Sequence, residues 1–186
     1  FNCRISVLMV SISGELQSLL DRPNVHVHDL PSALEKLSRM ISGGASDLTV
    51  ITDFDHTLTR SHSDDGGKCA VTHEVFNHPS LFPELSEKFA ELEKLYYPFE
   101  HLTEGEERVQ KMEAWWRESN AAIVAQAFHR STITSLISKT NIQLRDGASD
   151  FLHSLQLLDV PTLIFSAGIG GIISLFLSQQ GVPLSR

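Results

Sequence analysis

The spacing of apolar residues along the chain changes between two patterns, which together predict an α/β fold. Apolar positions at helical spacing predict a helix over 31–41, which the glycine pair Gly43-Gly44 ends. Two short apolar runs, at about 48–54 and 160–165, predict buried strands that each lead into a polar loop. Two more helices are predicted, one at about 147–158 before the second strand and one at about 171–180 after it.

Between the two predicted strands, from roughly 70 to 145, the pattern is helical, charged and aromatic, without a strand signal. A helix over 83–97 is predicted to end in a turn at Pro98, and a further helix covers about 132–139. Between them, the capping box Thr103-Glu104-Gly105-Glu106 predicts the start of a long helix that runs to about Phe128. We interpret this block as a helical cap inserted into an α/β core.

This order of elements predicts three parts. Residues 1–30 form a poorly defined N-terminal extension. Residues 31–61 and 146–186 form the α/β core, and residues 62–145 form the cap.

Composition narrows the classes of partner. The chain has 186 residues, 41% hydrophobic residues and a formal net charge of -8, which argues against binding a nucleic-acid polymer, because phosphate backbones require clustered Lys and Arg. A mononucleotide is not excluded, because it requires only a few local positive groups. No run reaches the roughly 18 apolar residues of a membrane span. Cys3 and Cys69 have no metal or redox spacing, which favours a reducing compartment.

The run Asp53-Phe54-Asp55-His56-Thr57 directly follows the first predicted strand and carries the strongest chemical signal. Its two carboxylates crowd one strand end and repel each other unless a cation lies between them. Mg²⁺ suits this position because it takes oxygen ligands and also binds substrate phosphate. The pattern predicts phosphoryl chemistry in which Asp53 attacks phosphorus, Asp55 transfers protons and Thr57 orients these groups.

A calcium-binding loop is the competing interpretation of this run. An EF-hand loop requires Gly at its sixth position and Glu at its twelfth. Counted from Asp53, those positions hold Leu58 and Asp64, so the calcium interpretation fails.

Two other groups of residues are candidates for binding a substrate next to this run. Ser166-Ala167-Gly168 follows the second predicted strand and precedes a helix, where a hydroxyl and free amides bind phosphate well. In the cap, the segments 96–100 and 115–119 supply aromatic faces and carboxylates for a base. For at least one of the two tryptophans, simple packing is the preferred alternative. His56, His62 and His73 are predicted to be surface or packing residues, because their spacing matches no zinc site.

Over about 35–182 the chain resembles the haloacid-dehalogenase-like hydrolases, and more closely their pyrimidine 5'-nucleotidase family. Four stretches carry the resemblance: Ile51-Thr52-Asp53-Phe54-Asp55-His56-Thr57-Leu58-Thr59-Arg60, Tyr96-Tyr97-Pro98-Phe99-Glu100, Met112-Glu113-Ala114-Trp115-Trp116 and Ile164-Phe165-Ser166-Ala167-Gly168-Ile169-Gly170.

The resemblance implies a Rossmann-type core and a cytoplasmic enzyme that hydrolyses nucleoside 5'-monophosphates, chiefly CMP and UMP, with Mg²⁺. It implies that Asp53 is nucleophile and metal ligand, and that Asp55 is proton donor and binds the metal through its backbone carbonyl. It also implies nucleotide-binding roles for four residues: Glu100 and Ser119, and, on the phosphate, Ser166 and Ala167.

The chain also departs from the family pattern. Ala114 stands where the family usually has an acid. Family members continue well beyond a position like Val182, with a lysine and further aspartates, so we expect a C-terminally truncated chain with an incomplete core and an uncovered side of the sheet. Arg60 is a candidate for part of the missing positive charge.

Two functions therefore stay open. The first is a 5'-nucleotidase, which transfers phosphate to water or to another nucleoside through the same aspartyl-phosphate. The second is a catalytically impaired relative that acts as a nucleotide-binding or regulatory module. The sequence leaves the oligomeric state open.

Overall fold

The computed structural model describes residues 14, 16–101 and 105–182, which fall into two compact units, Phe1–Leu48 and Thr49–Arg186. Most of the first half of the predicted N-terminal extension, including residues 1–13, lies outside the described residues. Across the described ranges, no helix has the length and apolar character needed to cross a bilayer.

The first unit contains helix α1, Leu30–Gly43, and a short 3-10 helix, Ala45–Asp47. The Asp29 side chain caps α1 by accepting a hydrogen bond from the Ser32 amide at 3.1 Å. Gly44 follows the helix with a φ of 72°, a conformation that favours glycine. The helix predicted over 31–41 is confirmed.

The second unit contains a two-stranded parallel sheet of β1, Val50–Thr52, and β2, Thr162–Ile164, with Thr52 opposite Ile164. Both predicted strands exist, but the prediction that they are buried is wrong. Ile51 is 68% exposed and its neighbour Leu163 is 52% exposed. Parallel sheets are usually covered on both faces, and no third strand of the described residues flanks this pair.

A 3-10 helix and five α-helices make up the rest of this unit as described. They are the 3-10 helix Thr72–Phe76, α2 Pro83–Glu100, α3 Glu106–Ala125, α4 Arg130–Lys139, α5 Ala148–Leu157 and α6 Gly170–Gln179.

Two predicted helix boundaries differ from those in the structure. The turn predicted at Pro98 is wrong, because α2 continues through Pro98 to Glu100. Proline has no amide hydrogen, so α2 makes one backbone hydrogen bond fewer in its last turn. Thr103 and Glu104 of the predicted capping box lie outside the described residues, and α3 begins at Glu106 after Gly105, whose φ is 142°.

The core lies beside the loop that follows β1. Phe54, between the two aspartates, has no exposed surface and packs edge-on against Phe176 of α6 at 5.9 Å between ring centroids. Helix α4 packs against α6 and against the 3-10 helix, while α2 packs along α3. Burial of Phe54 therefore fixes the backbone on which both aspartates stand.

Candidate active site

The loop after β1 is tightly closed around the Phe54 carbonyl. This oxygen accepts the amides of Thr57, Leu58 and Thr59 at 3.2, 3.0 and 3.1 Å. His56 has a φ of 62°, which turns the chain back sharply, and its amide donates to Thr59 Oγ1 at 2.8 Å. The side chains of Asp53 and Asp55 are therefore presented at the strand end, Asp53 exposed and Asp55 half-buried.

Asp55 is held by a residue that sequence reasoning missed. The Thr72 amide donates to Asp55 Oδ1 at 3.1 Å, and Thr72 Oγ1 donates to Oδ2 at 2.8 Å. Thr72 is fully buried and begins the 3-10 helix. In the sequence, the acidic residue Glu74 could have indicated a helix that starts near Thr72, because acidic residues are common in the first turn of a helix. In the structure its carboxylate accepts the Val71 amide at 2.8 Å.

Thr57 was predicted to orient the two aspartates, but in the structure other residues make those hydrogen bonds. The Thr57 side chain is exposed, and Thr59 and Thr72 make the hydroxyl contacts described above. Arg145, also missed, secures the loop by donating from Nε to the Thr57 carbonyl at 3.0 Å and from Nη2 to the His56 carbonyl at 2.8 Å.

The loop after β2 lies directly against Asp55. A Cβ atom at Gly168 would lie 2.5 Å from Thr72 Oγ1 and 2.7 Å from Asp55 Oδ2, so glycine is required there. The Gly168 amide donates to Ser166 Oγ at 3.0 Å. The structure therefore brings Asp55 and the predicted phosphate-binding residues Ser166 and Ala167 to one edge of the sheet, as parallel strands require.

The oxygen atoms at this edge suit a magnesium ion. Within the described ranges, no group of three or more His, Cys, Asp or Glu residues forms a ready metal cage. The available donors are the exposed Asp53 carboxylate and the Asp55 carbonyl, which accepts no hydrogen bond from the described residues. Mg²⁺ is commonly held by one or two such protein oxygens, with water and substrate phosphate completing its shell.

Arg60 is occupied elsewhere. Its guanidinium donates to Asp64 at 2.5 Å and also to Asp146. These hydrogen bonds, to Asp64 first and then to Asp146, raise the pKa of Arg60 above its already high usual value. The charge that Arg60 was predicted to supply to the phosphate is instead shared with two carboxylates.

A cavity of about 420 Å³ opens between α2, α3 and the 3-10 helix. It brings together Glu100 and Ser119, the two residues expected to contact the nucleoside. The other lining residues that are aromatic, acidic or able to form hydrogen bonds are Trp115, Trp116, His73, Glu74, Asn77 and Glu93. Such a cavity is within the size range of small-ligand sites.

The two tryptophans have different environments. Trp115 stacks on Tyr96 with 6.3 Å between ring centroids, and the buried Tyr96 donates its hydroxyl to Glu118 Oε1 at 2.6 Å. That hydrogen bond and burial raise the pKa of Tyr96. Trp116 is 52% exposed. Trp115 is half-buried, packs on Tyr96 and also lines the cavity, so the packing interpretation describes it only in part.

His73 joins the cavity to the sheet edge. Its ring lines the cavity, and Nε2 lies 3.3 Å from the Ala167 carbonyl. His73 is half-buried, which agrees with its predicted role as a surface or packing residue. His56 and His62 are exposed, as predicted.

Comparisons with known proteins agree on one family. The family model "Pyrimidine 5'-nucleotidase (UMPH-1)" matches residues 56–185. A Caenorhabditis elegans protein named "Putative cytosolic 5'-nucleotidase 3" is 41% identical over 167 residues, which cover 87% of this chain and 44% of that protein. The Drosophila melanogaster "7-methylguanosine phosphate-specific 5'-nucleotidase" is 33% identical over 159 residues, covering 82% of this chain and 49% of that protein.

Solved structures give the same result. The crystal structure of cytosolic 5'-nucleotidase IIIB bound to cytidine matches with a TM-score of 0.75 and 29% identity, over 89% of this chain and 55% of that one. The chain spans about half the length of the curated relatives it matches.

Proposed function

Since the chain belongs to the pyrimidine 5'-nucleotidase family, we propose that it removes the 5'-phosphate from pyrimidine nucleoside monophosphates such as CMP and UMP. Its fold is the haloacid-dehalogenase-like α/β core with an inserted α-helical cap. The proposal extends to a cytoplasmic location, since a relative is named cytosolic.

One observation supports this proposal most strongly: a single short helix touches both ends of the site. Thr72, its first residue, contacts Asp55, and the next residue, His73, lines the cavity that contains Glu100. A nucleotide has the matching layout, with phosphate at one end and base at the other.

In the first step of the proposed reaction, the Asp53 carboxylate attacks phosphorus as the bond to the 5'-oxygen breaks. Asp55 donates its proton to that oxygen, and the nucleoside leaves. Ser166 Oγ and the Ala167 backbone bind the phosphate oxygens and keep phosphorus in line with Asp53.

In the second step, water attacks phosphorus and the bond between phosphorus and Asp53 breaks. Asp55, now a carboxylate, takes the proton from that water, so both aspartates return to their starting states. Proton transfer by a positioned side chain contributes roughly 10²–10⁴ in rate. A bound Mg²⁺ supplies positive charge that stabilises the developing charge on phosphate, and the Asp53 carboxylate and the Asp55 carbonyl are the atoms of this chain that would hold it.

Binding of the nucleoside falls to the cavity residues. The exposed Trp116 face can stack on a base, Glu100 can accept from an exocyclic amine, and Ser119 can donate to or accept from the nucleoside. A second candidate substrate is 7-methylguanosine 5'-monophosphate. Its base is cationic, and Glu74, Glu93 and Glu100 line the cavity beside aromatic rings, which attract a cation.

The direct test is phosphate release from CMP, UMP and 7-methylguanosine monophosphate, with Mg²⁺ and with EDTA. We expect release that requires Mg²⁺ and is lost in Asp53→Asn. Asp150→Asn, in the first turn of α5, is the matched control and should keep the wild-type rate. A folded wild-type chain that binds nucleotide without releasing phosphate would instead support the nucleotide-binding module.

A further inference from the structure

We propose that Thr72 is a positioning residue that holds the carboxylate of Asp55 for proton transfer, an inference that rests on the proposed nucleotidase reaction. Nothing in the comparisons assigns a role to this residue. The argument starts from its two donors, which meet the two oxygens of one carboxylate.

Thr72 makes two hydrogen bonds to the Asp55 carboxylate. The Thr72 amide reaches Asp55 Oδ1 at 3.1 Å and the hydroxyl reaches Oδ2 at 2.8 Å. Two hydrogen bonds to different oxygens fix both the position and the rotation of the carboxylate. A single bond would leave it free to turn about that bond.

The direction of the hydroxyl proton is also fixed. The Ile169 amide lies 3.2 Å from Thr72 Oγ1 and can only donate, so the oxygen must accept there. The hydroxyl proton is then directed to Asp55. A donor chain therefore runs from Ile169, after the loop of β2, through Thr72 to Asp55.

This arrangement leaves Asp55 able to react. Each carboxylate oxygen has two lone-pair positions, and Thr72 uses one on each. The remaining positions can carry the proton that the leaving oxygen receives. The backbone of the loop is already held through Phe54, whereas the Asp55 side chain is half-buried, so the fully buried Thr72 supplies the support for the carboxylate itself.

The position of Thr72 gives this support a second consequence. Thr72 and the cavity residues His73 and Glu74 are consecutive in one 3-10 helix. The element that sets the orientation of Asp55 is therefore also the element that a bound nucleoside touches.

The kinetic test compares Thr72→Val, which removes the hydroxyl, with Thr72→Ser, which keeps it. For CMP we expect Thr72→Val to lower kcat by about 10- to 100-fold with little change in KM, and Thr72→Ser to restore most of kcat. Thr140→Val is the control, since among the described residues its hydroxyl bonds the Leu136 carbonyl and His78, outside the site.

The choice of substrate separates proton transfer from general damage. p-Nitrophenyl phosphate has a leaving group that departs without a proton, so Thr72→Val should slow release of the leaving group in the first turnover much less with it than with CMP. Equal slowing with both substrates, or a Thr72→Ser variant no better than Thr72→Val, would overturn the proposal.

A measurement without turnover keeps this inference separate from the proposed function. In a double-mutant cycle of thermal unfolding, Thr72→Val should lower Tm by at least about 2 °C more in the wild-type background than in Asp55→Ala. Equal Tm losses in the two backgrounds would refute the Thr72–Asp55 contact. Absence of CMP hydrolysis by wild type, with the coupling present, would refute only the proposed function.

Discussion

At the scale of single residues, the space around Asp55 leaves no room for an added methyl group at Gly168. We expect Gly168→Ala to displace Thr72 or Asp55, because the new Cβ would lie within 2.7 Å of both side chains. Phosphate release should fall by about 10-fold or more, since small misplacements of reacting groups are costly.

Gly170→Ala is the matched control for this substitution. Nothing lies within 4 Å of a Cβ at Gly170, the first residue of α6. Its activity should equal that of wild type and its Tm should be unchanged or higher. Wild-type turnover by Gly168→Ala would show that this loop does not shape the site.

Glu100 is predicted to set the preference for CMP over UMP. CMP carries an exocyclic amine where UMP carries a carbonyl, and a carboxylate accepts only from the amine. Glu100→Gln, which can also donate, should therefore lower the ratio of kcat/KM for CMP to that for UMP by about 5-fold or more. Glu91→Gln, on the same helix but outside the cavity lining, should leave the ratio unchanged. An unchanged ratio in Glu100→Gln would remove this residue from base recognition.

The sequence revealed these residues unequally. Asp53 and Asp55 were found because two carboxylates at a strand end need an explanation. Thr72 and Arg145 were missed because their partners lie 17 and 88 or more positions away along the chain, and no local pattern marks such contacts.

At the scale of elements, the sequence predicts the α-helices but not the 3-10 helix Thr72–Phe76. Helices α1 to α6 carry apolar positions at a regular period or clear end signals. The segment Thr72–Phe76 is five residues long, too short to show a period, and only its contacts reveal its importance.

The contact between α2 and α3 predicts a dependence of stability on alkaline pH. Tyr96 donates to Glu118, and this raises its pKa above the unfolded value of about 10. The contribution to stability is therefore complete below that pH and is lost as pH rises through the folded pKa. The free energy of unfolding, measured in urea at pH 8 to 11, should fall more steeply above about pH 10 in wild type than in Tyr96→Phe.

Tyr97→Phe provides the comparison. Tyr97 is the neighbouring residue, is 48% exposed and donates to no carboxylate of the described residues. It should keep the wild-type pH dependence. If Tyr96→Phe behaves like Tyr97→Phe, the Tyr96–Glu118 hydrogen bond does not contribute.

At the scale of the whole molecule, an apolar surface lies on the described sheet. Ile51 and Leu163 are adjacent in register, and Phe165, two residues further along, is 76% exposed. Patches of this kind promote association in water. We expect the isolated 186-residue chain to self-associate with rising concentration, and Ile51→Thr with Leu163→Thr to weaken that association, as measured by sedimentation velocity.

Val124→Thr is the control for surface hydrophobicity, because Val124 is also 76% exposed but lies on α3. It should associate like wild type. Equal association of all three proteins would show that the sheet surface is not the contact.

The sequence predicted the α/β class and the helical cap, yet it predicted buried strands where the structure has exposed ones. A continuous apolar run identifies a strand suited to burial, but it does not show which segment covers the strand. Coverage depends on the other strands and helices of the sheet, which a local pattern does not contain.

The central claim is that Asp53 carries the phosphoryl group, and an acid-quenched single turnover tests it most directly. CMP with a radiolabelled phosphate is mixed with the wild-type chain and Mg²⁺, quenched, and the protein is assayed for covalent label. The account predicts a label that hydroxylamine removes and that is absent from Asp53→Asn. Phosphate release without any protein label, or an equal label in Asp53→Asn, would contradict it.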